Sequence, residues 1–295
     1  MRPKIIEFLN GALGMHGAAW LIPTPEVLYG VAMLAVLLLY VIRCRSGGLS
    51  RYHALGSAIW ATVGGLVGAR AIYLALRIDQ VVRDPSMLWD LGGTTMSWGA
   101  YLGGGVGFTL YMIVNRQSLW HYADVVGSTF GLGPFFGRMA CFLNGDDYGR
   151  ISDVPWAVTY PEGSIAYGDH LRQGLLPPGA EESLAVHPVQ LYLAANALAL
   201  FLIFSWLWRR AKLPPGTVFL LYWAAYGATR FGWEFFRGDI ERVFVGPFPD
   251  AQVIALVICL SSIAALVSCG GFRGTARHPE HAEHLSHVGG AGNIE

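Results

Sequence analysis

The chain has 295 residues, 54% of them hydrophobic and only 14% charged, with a formal net charge of zero. Soluble domains carry about 25% charge, so an ordinary soluble domain is excluded and an all-α polytopic membrane protein is predicted. The balanced charge supplies no overall field for nucleic acid or an acidic partner. The four cysteines, Cys44, Cys141, Cys259 and Cys269, form no CxxC pair, which argues against a disulfide framework or a zinc centre.

The first twenty residues are patchily apolar and lack the charged-apolar-small order of a cleaved signal. A membrane span needs about 20 mostly apolar residues, and seven segments qualify. They run from Pro25 to Ile42, Leu55 to Leu76, Met96 to Val114, Ala123 to Leu143, Pro188 to Trp208, Gly216 to Phe236 and Gln252 to Val267. Glycine is abundant within these runs, and small residues let membrane helices approach closely. The loops after the first, third and fifth spans carry Arg43, Arg45 and Arg51, then Arg116, then Arg209, Arg210 and Lys212, with no acid among them. The opposite loops mix signs, with Asp79, Asp84, Asp153, Glu162, Glu181 and Glu182 among their acids. Lys and Arg favour the cytoplasmic side, so the N-terminus is predicted outside and the C-terminus inside. Residues 1–270 then form one membrane domain with an outer loop at about 146–187, in which Pro155–Pro161 reads as a short extended segment. The polar tail at 271–295 reads as disordered. Its His278, His281, His284 and His287 recur every third residue, a possible metal tract that no carboxylate or cysteine arrangement completes.

Charged residues at membrane depth are costly, and by default they mark a functional site. In the sixth span Tyr226, Arg230 and Glu234 follow at i, i+4 and i+8 and share a helix face. Arg230 and Glu234 can pair, either as a structural ion pair or as an anion site whose arginine the glutamate orients. The fourth span carries Asp124 near its inner end and Arg138 near its outer end. Arg138, Arg230 and Arg237 then sit at one level, that of a phospholipid headgroup, and the planar guanidinium matches phosphate oxygens. Arg70 has Gly64, Gly65 and Gly68 around it, so packing and function are equally open to it. His187 opens the fifth span before Pro188, as a hydrogen-bonding residue or a base.

The motifs together resemble the prolipoprotein diacylglyceryl transferase family. They are Tyr29-Gly30, Met96-Ser97-Trp98, the run Gly137-Arg138 through Asn144-Gly145-Asp146 to Gly149, Pro155-Trp156-Ala157, His187-Pro188-x-Gln190-Leu191-Tyr192, and Tyr226-Gly227-x-x-Arg230-x-x-x-Glu234-Phe235-Phe236-Arg237. Their order spans nearly the whole chain. The resemblance implies an enzyme of the bacterial inner membrane, with its site toward the outer leaflet. It would move the diacylglyceryl group of phosphatidylglycerol to the lipobox cysteine thiol of preprolipoproteins and release glycerol 1-phosphate. It implies phosphatidylglycerol, lipobox peptides and membrane lipids as partners, and neither cofactor nor metal. Arg230, Tyr226, Glu234, Asp146 and Tyr101 are the expected catalytic group. Arg138, Asn144, Tyr29, Gly149, Arg237 and His187 are the expected substrate-binding group. Three positions depart from the family pattern. Gly99 stands where a histidine is expected, Cys141 where an asparagine is, and Asp146 where a glutamate is. Tyr101, two residues beyond Gly99, is the candidate to relay a proton in the histidine's place. The other readings of the chain are a non-catalytic relative that binds phospholipid or lipoprotein precursors, and a small-solute transporter. The lack of visible internal repeats weakens the transporter reading.

Overall fold

A computed structural model describes residues 24–89, 97–238, 244–245 and 247–268. The N-terminal segment and the histidine-bearing tail lie outside the described residues. The chain is mostly helical. Helix α1 spans Thr24–Ser46 and α2 Arg51–Leu76, followed by the short α3 at Ile78–Arg83 and a 3-10 turn at Pro85–Leu88. Then come α4 (Ser97–Val114), α5 (Leu119–Thr129), α6 (Leu132–Asn144), α7 (Ile165–Arg172), α8 (Val189–Arg210), α9 (Thr217–Trp233) and α10 (Asp250–Ser268). A two-stranded antiparallel ribbon, β1 (Phe244–Val245) on β2 (Phe248–Pro249), precedes α10.

Four helices are long and apolar enough to cross a membrane: Val27–Ser46, Arg51–Leu76, Val189–Arg210 and Asp250–Ser268; Trp98–Val114 is apolar but shorter. Their outer faces are apolar as well. Met33, Leu34, Leu38 and Ile42 on α1, and Ile59, Val63, Leu66 and Val67 on α2, are exposed. An apolar exterior of this extent needs lipid or a partner to cover it. All seven predicted segments are helical over most of their length, but the fourth is broken. Pro134 has no N–H, and its ring would clash with the carbonyl of residue 130 in a continuous helix. The chain tightens there: Gly133 N–H donates to the Phe130 carbonyl at 3.1 Å, and α6 starts afresh at Leu132.

α2 packs along α4 through glycine. A Cβ on Gly68 would collide with the Gly99 carbonyl and lie 2.8 Å from Gly103 Cα; one on Gly107 would collide with the Trp60 carbonyl. Gly64 and Gly68 thus face Gly99, Gly103 and Gly107 at four-residue spacing, the pattern that lets membrane helices meet backbone to backbone. The remaining helices pack through side chains. Tyr40, Cys44, Tyr111, Met112, Tyr122 and Val125 form one core, and Leu200, Phe204, Val218 and Tyr222 another.

Two charges predicted from position alone prove structural. Arg43, assigned to a loop, lies within α1 and is buried. Its guanidinium donates to the Ser128 carbonyl at 2.7 Å and Ser205 Oγ at 2.8 Å, with Phe201 and Trp208 against it. Asp124 on α5 caps α9 from outside that helix, accepting from Gly216 N–H at 2.8 Å and Phe219 N–H at 3.0 Å. Four N–H groups at a helix start have no partner within the helix, and the carboxylate takes up two of those at this end. Arg70 donates to the Met87 carbonyl at 2.5 Å, tying the 3-10 turn to α2.

Candidate functional site

α6 and α9 end on the same side of the bundle, where α8 begins, and the long segment between α6 and α8 covers that end. Gly145 closes α6 in the left-handed conformation at φ 75°, and its N–H donates to the Cys141 carbonyl at 2.9 Å. Asp147, two residues on, is also left-handed at φ 52°. Asp tolerates this conformation better than most residues, and the double reversal turns the Asp147 carboxylate back toward α6. Gly149 then pairs with Arg237 as an isolated antiparallel bridge. A Cβ at Gly149 would collide with the His187 carbonyl, and one at Gly238 with the backbone of Gly149. Only glycine permits three strands of chain to pass so close. The segment beyond packs Tyr148, Tyr160, Ala166 and Val186 into a small core of its own. Val158 pairs with Val186 inside the predicted extended segment.

Below this cover lies a cavity of about 340 Å³ lined by Tyr29, Tyr101, Pro134, Gly137, Arg138, Cys141, Asp146, Asp147, Leu193, Asn196, Ala197, Tyr226 and Arg230. Six of the predicted site residues meet here: Tyr29, Tyr101, Arg138, Asp146, Tyr226 and Arg230. They come from α1, α4, α6, the turn after α6, and α9, so the site exists only in the folded bundle. Tyr226 stacks nearly parallel to Tyr222, and Tyr101 leans on Trp98 and Phe130. Tyr29 Oη lies 3.6 Å from Cys141 Sγ.

The other five predicted residues stand behind the cavity wall. Glu234 is 3% exposed and pairs with Arg230, itself 6% exposed. One face of α9 therefore carries Tyr226 and Arg230 to the cavity, and the glutamate follows beneath them at the helix C-cap, opening the 3-10 turn Glu234–Phe236. Asn144 Nδ2 donates to Asp146 Oδ2 at 3.0 Å, and Gly149 serves the backbone crossing. His187 Nδ1 lies 3.2 Å from the Tyr192 hydroxyl, which accepts from the Trp156 indole N–H at 2.5 Å. The imidazole thus belongs to a cluster that packs the covering segment. Arg237 reaches Asp147 Oδ1 at 2.5 Å.

Asp147 is the residue the sequence reading missed. Its carboxylate gives one oxygen to Arg138 and the other to Arg237. Burial alone would raise its pKa, but the two guanidiniums outweigh that and hold it down at about 2. Its neighbour Asp146 behaves oppositely. Burial pushes that carboxyl above its ordinary range, and the Asn144 amide offsets this only in part. The Asp146 backbone carbonyl also accepts from Gln190 Nε2 at 2.7 Å, from a side chain that is wholly buried. Asn196, on α8, is a second cavity residue not foreseen; its Nδ2 donates to Thr229 Oγ1 at 3.2 Å.

Gly99 lies apart from the site. The position where a histidine was expected does not face the cavity. It lies in the α2–α4 seam, where a Cβ would collide with the Gly68 carbonyl and sit 2.8 Å from Ala69 Cα. No imidazole fits there without parting the helices. Tyr101, two residues on, points to the cavity instead.

Comparison with known proteins settles the family. The profile of the prolipoprotein diacylglyceryl transferases matches residues 26–268. The chain belongs to the prolipoprotein diacylglyceryl transferase family. It is 27% identical over 263 residues to the phosphatidylglycerol–prolipoprotein diacylglyceryl transferase of Clostridium tetani, covering 89% of this chain and 96% of that one. The enzyme of the same name from Thermosynechococcus vestitus is 33% identical over 224 residues, 73% of this chain and 75% of its own. That from Sinorhizobium medicae is 34% identical over 203 residues, 66% and 61% of the two chains. The matched region contains every residue lining the cavity, so this member of the family builds its cavity with Cys141, Asp146, Asp147 and Tyr101 as described, on a bundle suited to a bacterial membrane.

Proposed function

We propose that this chain transfers the diacylglyceryl group of phosphatidylglycerol to the lipobox cysteine of preprolipoproteins. The observation that carries this is the convergence of Arg138 and Arg230 with the hydroxyls of Tyr29, Tyr101 and Tyr226 in one cavity at the end of the bundle. The cysteine sulfur attacks the glyceryl carbon bearing the phosphate. A C–S bond forms, the C–O bond to phosphate breaks, and glycerol 1-phosphate leaves with the electron pair. Negative charge gathers on the phosphate oxygens in that step. Fixed guanidiniums in a site shielded from water stabilise it without reorganising. Glu234 keeps Arg230 in position at little cost in mobility, because both are buried. The thiol proton goes to Asp146, whose burial suits it to hold a proton, or through Tyr101. The positive field of the arginines lowers the thiol pKa, which reduces the demand on a dedicated base. Tyr29 and Tyr226 supply hydrogen bonds to glycerol or phosphate oxygens. Asn144, Gly149, Arg237 and His187 hold the covering segment and the acidic turn in register.

The orientation follows the same logic. α8 runs from the covered end to Arg209 and Arg210, and Arg43 joins α1 to Ser128 and Ser205 toward that second end. The basic end faces the cytoplasm and the cavity opens at the outer leaflet of the inner membrane, with seven spans, the fourth of them made of α5 and α6 together. The outer loop is residues 146–187.

The rival reading is a non-catalytic relative that binds phospholipid, since among the described residues no histidine lines the cavity. The test is purified protein with phosphatidylglycerol vesicles and a lipobox peptide, followed by mass spectrometry. A peptide carrying one diacylglyceryl thioether is expected. A bound lipid without product would establish the non-catalytic reading, and neither binding nor product would exclude both.

A further inference from the structure

Asp147 occupies a position that a substrate anion would want. Its two carboxylate oxygens engage two different arginines, Arg138 and Arg237. A phosphate monoester presents the same feature, paired oxygens able to bridge separate guanidiniums. Asp147 lines the cavity and Arg237 does not, so the carboxylate stands between that arginine and whatever enters. Its side chain is 31% exposed, while those of Arg138 and Arg237 are 24% and 12% exposed. The carboxylate is the most exposed of the three side chains. Asp147 also sits in the turn after α6, itself in the left-handed conformation. Of the trio it has the shortest side chain on the cavity lining, and the most exposed.

We propose that Asp147 is an internal counter-anion that competes with phosphate for Arg138 and Arg237, and so keeps the released phosphate monoester weakly held. This rests on the transferase reading for the identity of that monoester, glycerol 1-phosphate. The competition itself requires only an anion of phosphate type. While the C–O bond is intact, the donor phosphate is a diester with one charge, and Arg138 and Arg230 serve it. After cleavage the product gains charge and would bridge the arginines more tightly. The carboxylate, returning to the same two guanidiniums, displaces it.

The measurement is calorimetric titration of glycerol 1-phosphate and inorganic phosphate into the full chain. The chain is held in nanodiscs of phosphatidylcholine, in phosphate-free buffer. Wild type, Asp147→Asn, Asp147→Ser and Asp147→Glu are compared. Removing the competing charge in the first two variants is expected to tighten both ligands about tenfold, the scale of one charge-assisted hydrogen bond. Asp147→Glu keeps the charge and is expected to bind as weakly as wild type. A purely structural role for Asp147 predicts the opposite sign, since disordered arginines bind phosphate less well. Unchanged or weaker binding in both neutral variants would overturn the proposal. A neutral variant that is folded only when phosphate is supplied would support it, and one unfolded with or without phosphate would count against it. A parallel assay of transfer separates the two readings. Tightened phosphate binding in a chain that makes no thioether would sink the transferase reading and keep the competition. Thioether formation with unaltered phosphate affinity would do the reverse. Nanodiscs containing phosphatidylglycerol then tell headgroup from free phosphate. Competition with the product predicts that soluble glycerol 1-phosphate gains more from Asp147→Asn than the lipid does.

Discussion

Between α2 and α4 the chain brings backbone against backbone, with Gly64, Gly68, Gly99, Gly103 and Gly107 leaving no space for a side chain. At the ends of α6 and α9 it brings guanidinium against carboxylate, with Arg138, Arg230 and Arg237 answered by Glu234 and Asp147. The first contact gains only dispersion and weak backbone interactions, which a methyl group would abolish. The second makes strong directed bonds, but only after the charges are taken out of water. The seam is stable because nothing in it can change. The cluster holds charges that a substrate anion can engage. Both are built from a few positions, so it is the side chains there that divide scaffold from site.

The comparison is broken most directly at its most buried pair. Replacing Glu234 by Ala leaves Arg230 buried without its partner, a change that typically costs about 3–5 kcal/mol. If Glu234 acts through Arg230, the Arg230→Ala, Glu234→Ala and double variants should lose similar transfer activity, because the second change finds nothing left to remove. Initial rates of thioether formation decide this, and strictly additive losses would mean separate roles. Arg138→Ala comes next. Losing one preorganised donor to a developing anion costs about 10²–10³ in rate, while the bundle still assembles in membranes. Arg138→Lys should recover little, since a point charge cannot fork between two oxygens. Full activity in either variant would remove Arg138 from the site.

The seam gives the next effect. Gly68→Val and Gly99→His both force the α2 and α4 backbones apart, and overpacking of this kind costs about 1–3 kcal/mol. A lower melting temperature in detergent is expected for both, with no gain of activity from the imidazole. Gly105, on the same helix, has open space where its Cβ would be, and Gly105→Ala should be neutral or slightly stabilising. A rise in activity from Gly99→His would show that the seam opens and that position 99 belongs to the site after all.

The two regions also differ in how far the sequence betrays them. Glycine at four-residue spacing is a local signal, and so is the apolar length of each span. The break in the fourth span was legible too, in Pro134, but apolarity on both sides masked it. The i, i+4, i+8 spacing placed Tyr226, Arg230 and Glu234 on one face, and the structure keeps that face. Asp147 was hidden because its role depends on left-handed residues at 145 and 147, on either side of Asp146. Nothing in the spacing says which of two adjacent acids turns toward α6. The side on which Gly99 lies was hidden for the converse reason. A motif matched by order along the chain places a residue on a helix, but only the neighbouring helix decides which face is the site and which is the seam.

The smallest effect sharpens the comparison by pH. Asp147 is held at about 2 against an ordinary 3.8. A depressed carboxyl contributes stability that is complete above its unfolded pKa and fades as pH falls toward the folded one. A shift of nearly two units corresponds to about 2 kcal/mol, an upper figure for a partly exposed group. Asp146 works in the other direction. Its raised pKa means a penalty at neutral pH that is relieved on acidification, so the two adjacent acids partly cancel in the wild-type profile. The difference between wild type and Asp147→Asn reports chiefly Asp147, with a smaller part from Asp146, whose pKa the Asp147 charge also raises. In phosphate-free detergent solution, that difference in melting temperature should stay constant from pH 7 to about 5 and shrink between about pH 4 and pH 2. The difference between wild type and Gly68→Val should not move over the same range, because no titrating group lines the glycine contacts. A gap for Asp147→Asn that closes already near pH 6 would mean that the arginines do not hold this carboxylate, and the charged end of the bundle would then be no more fixed than a loop.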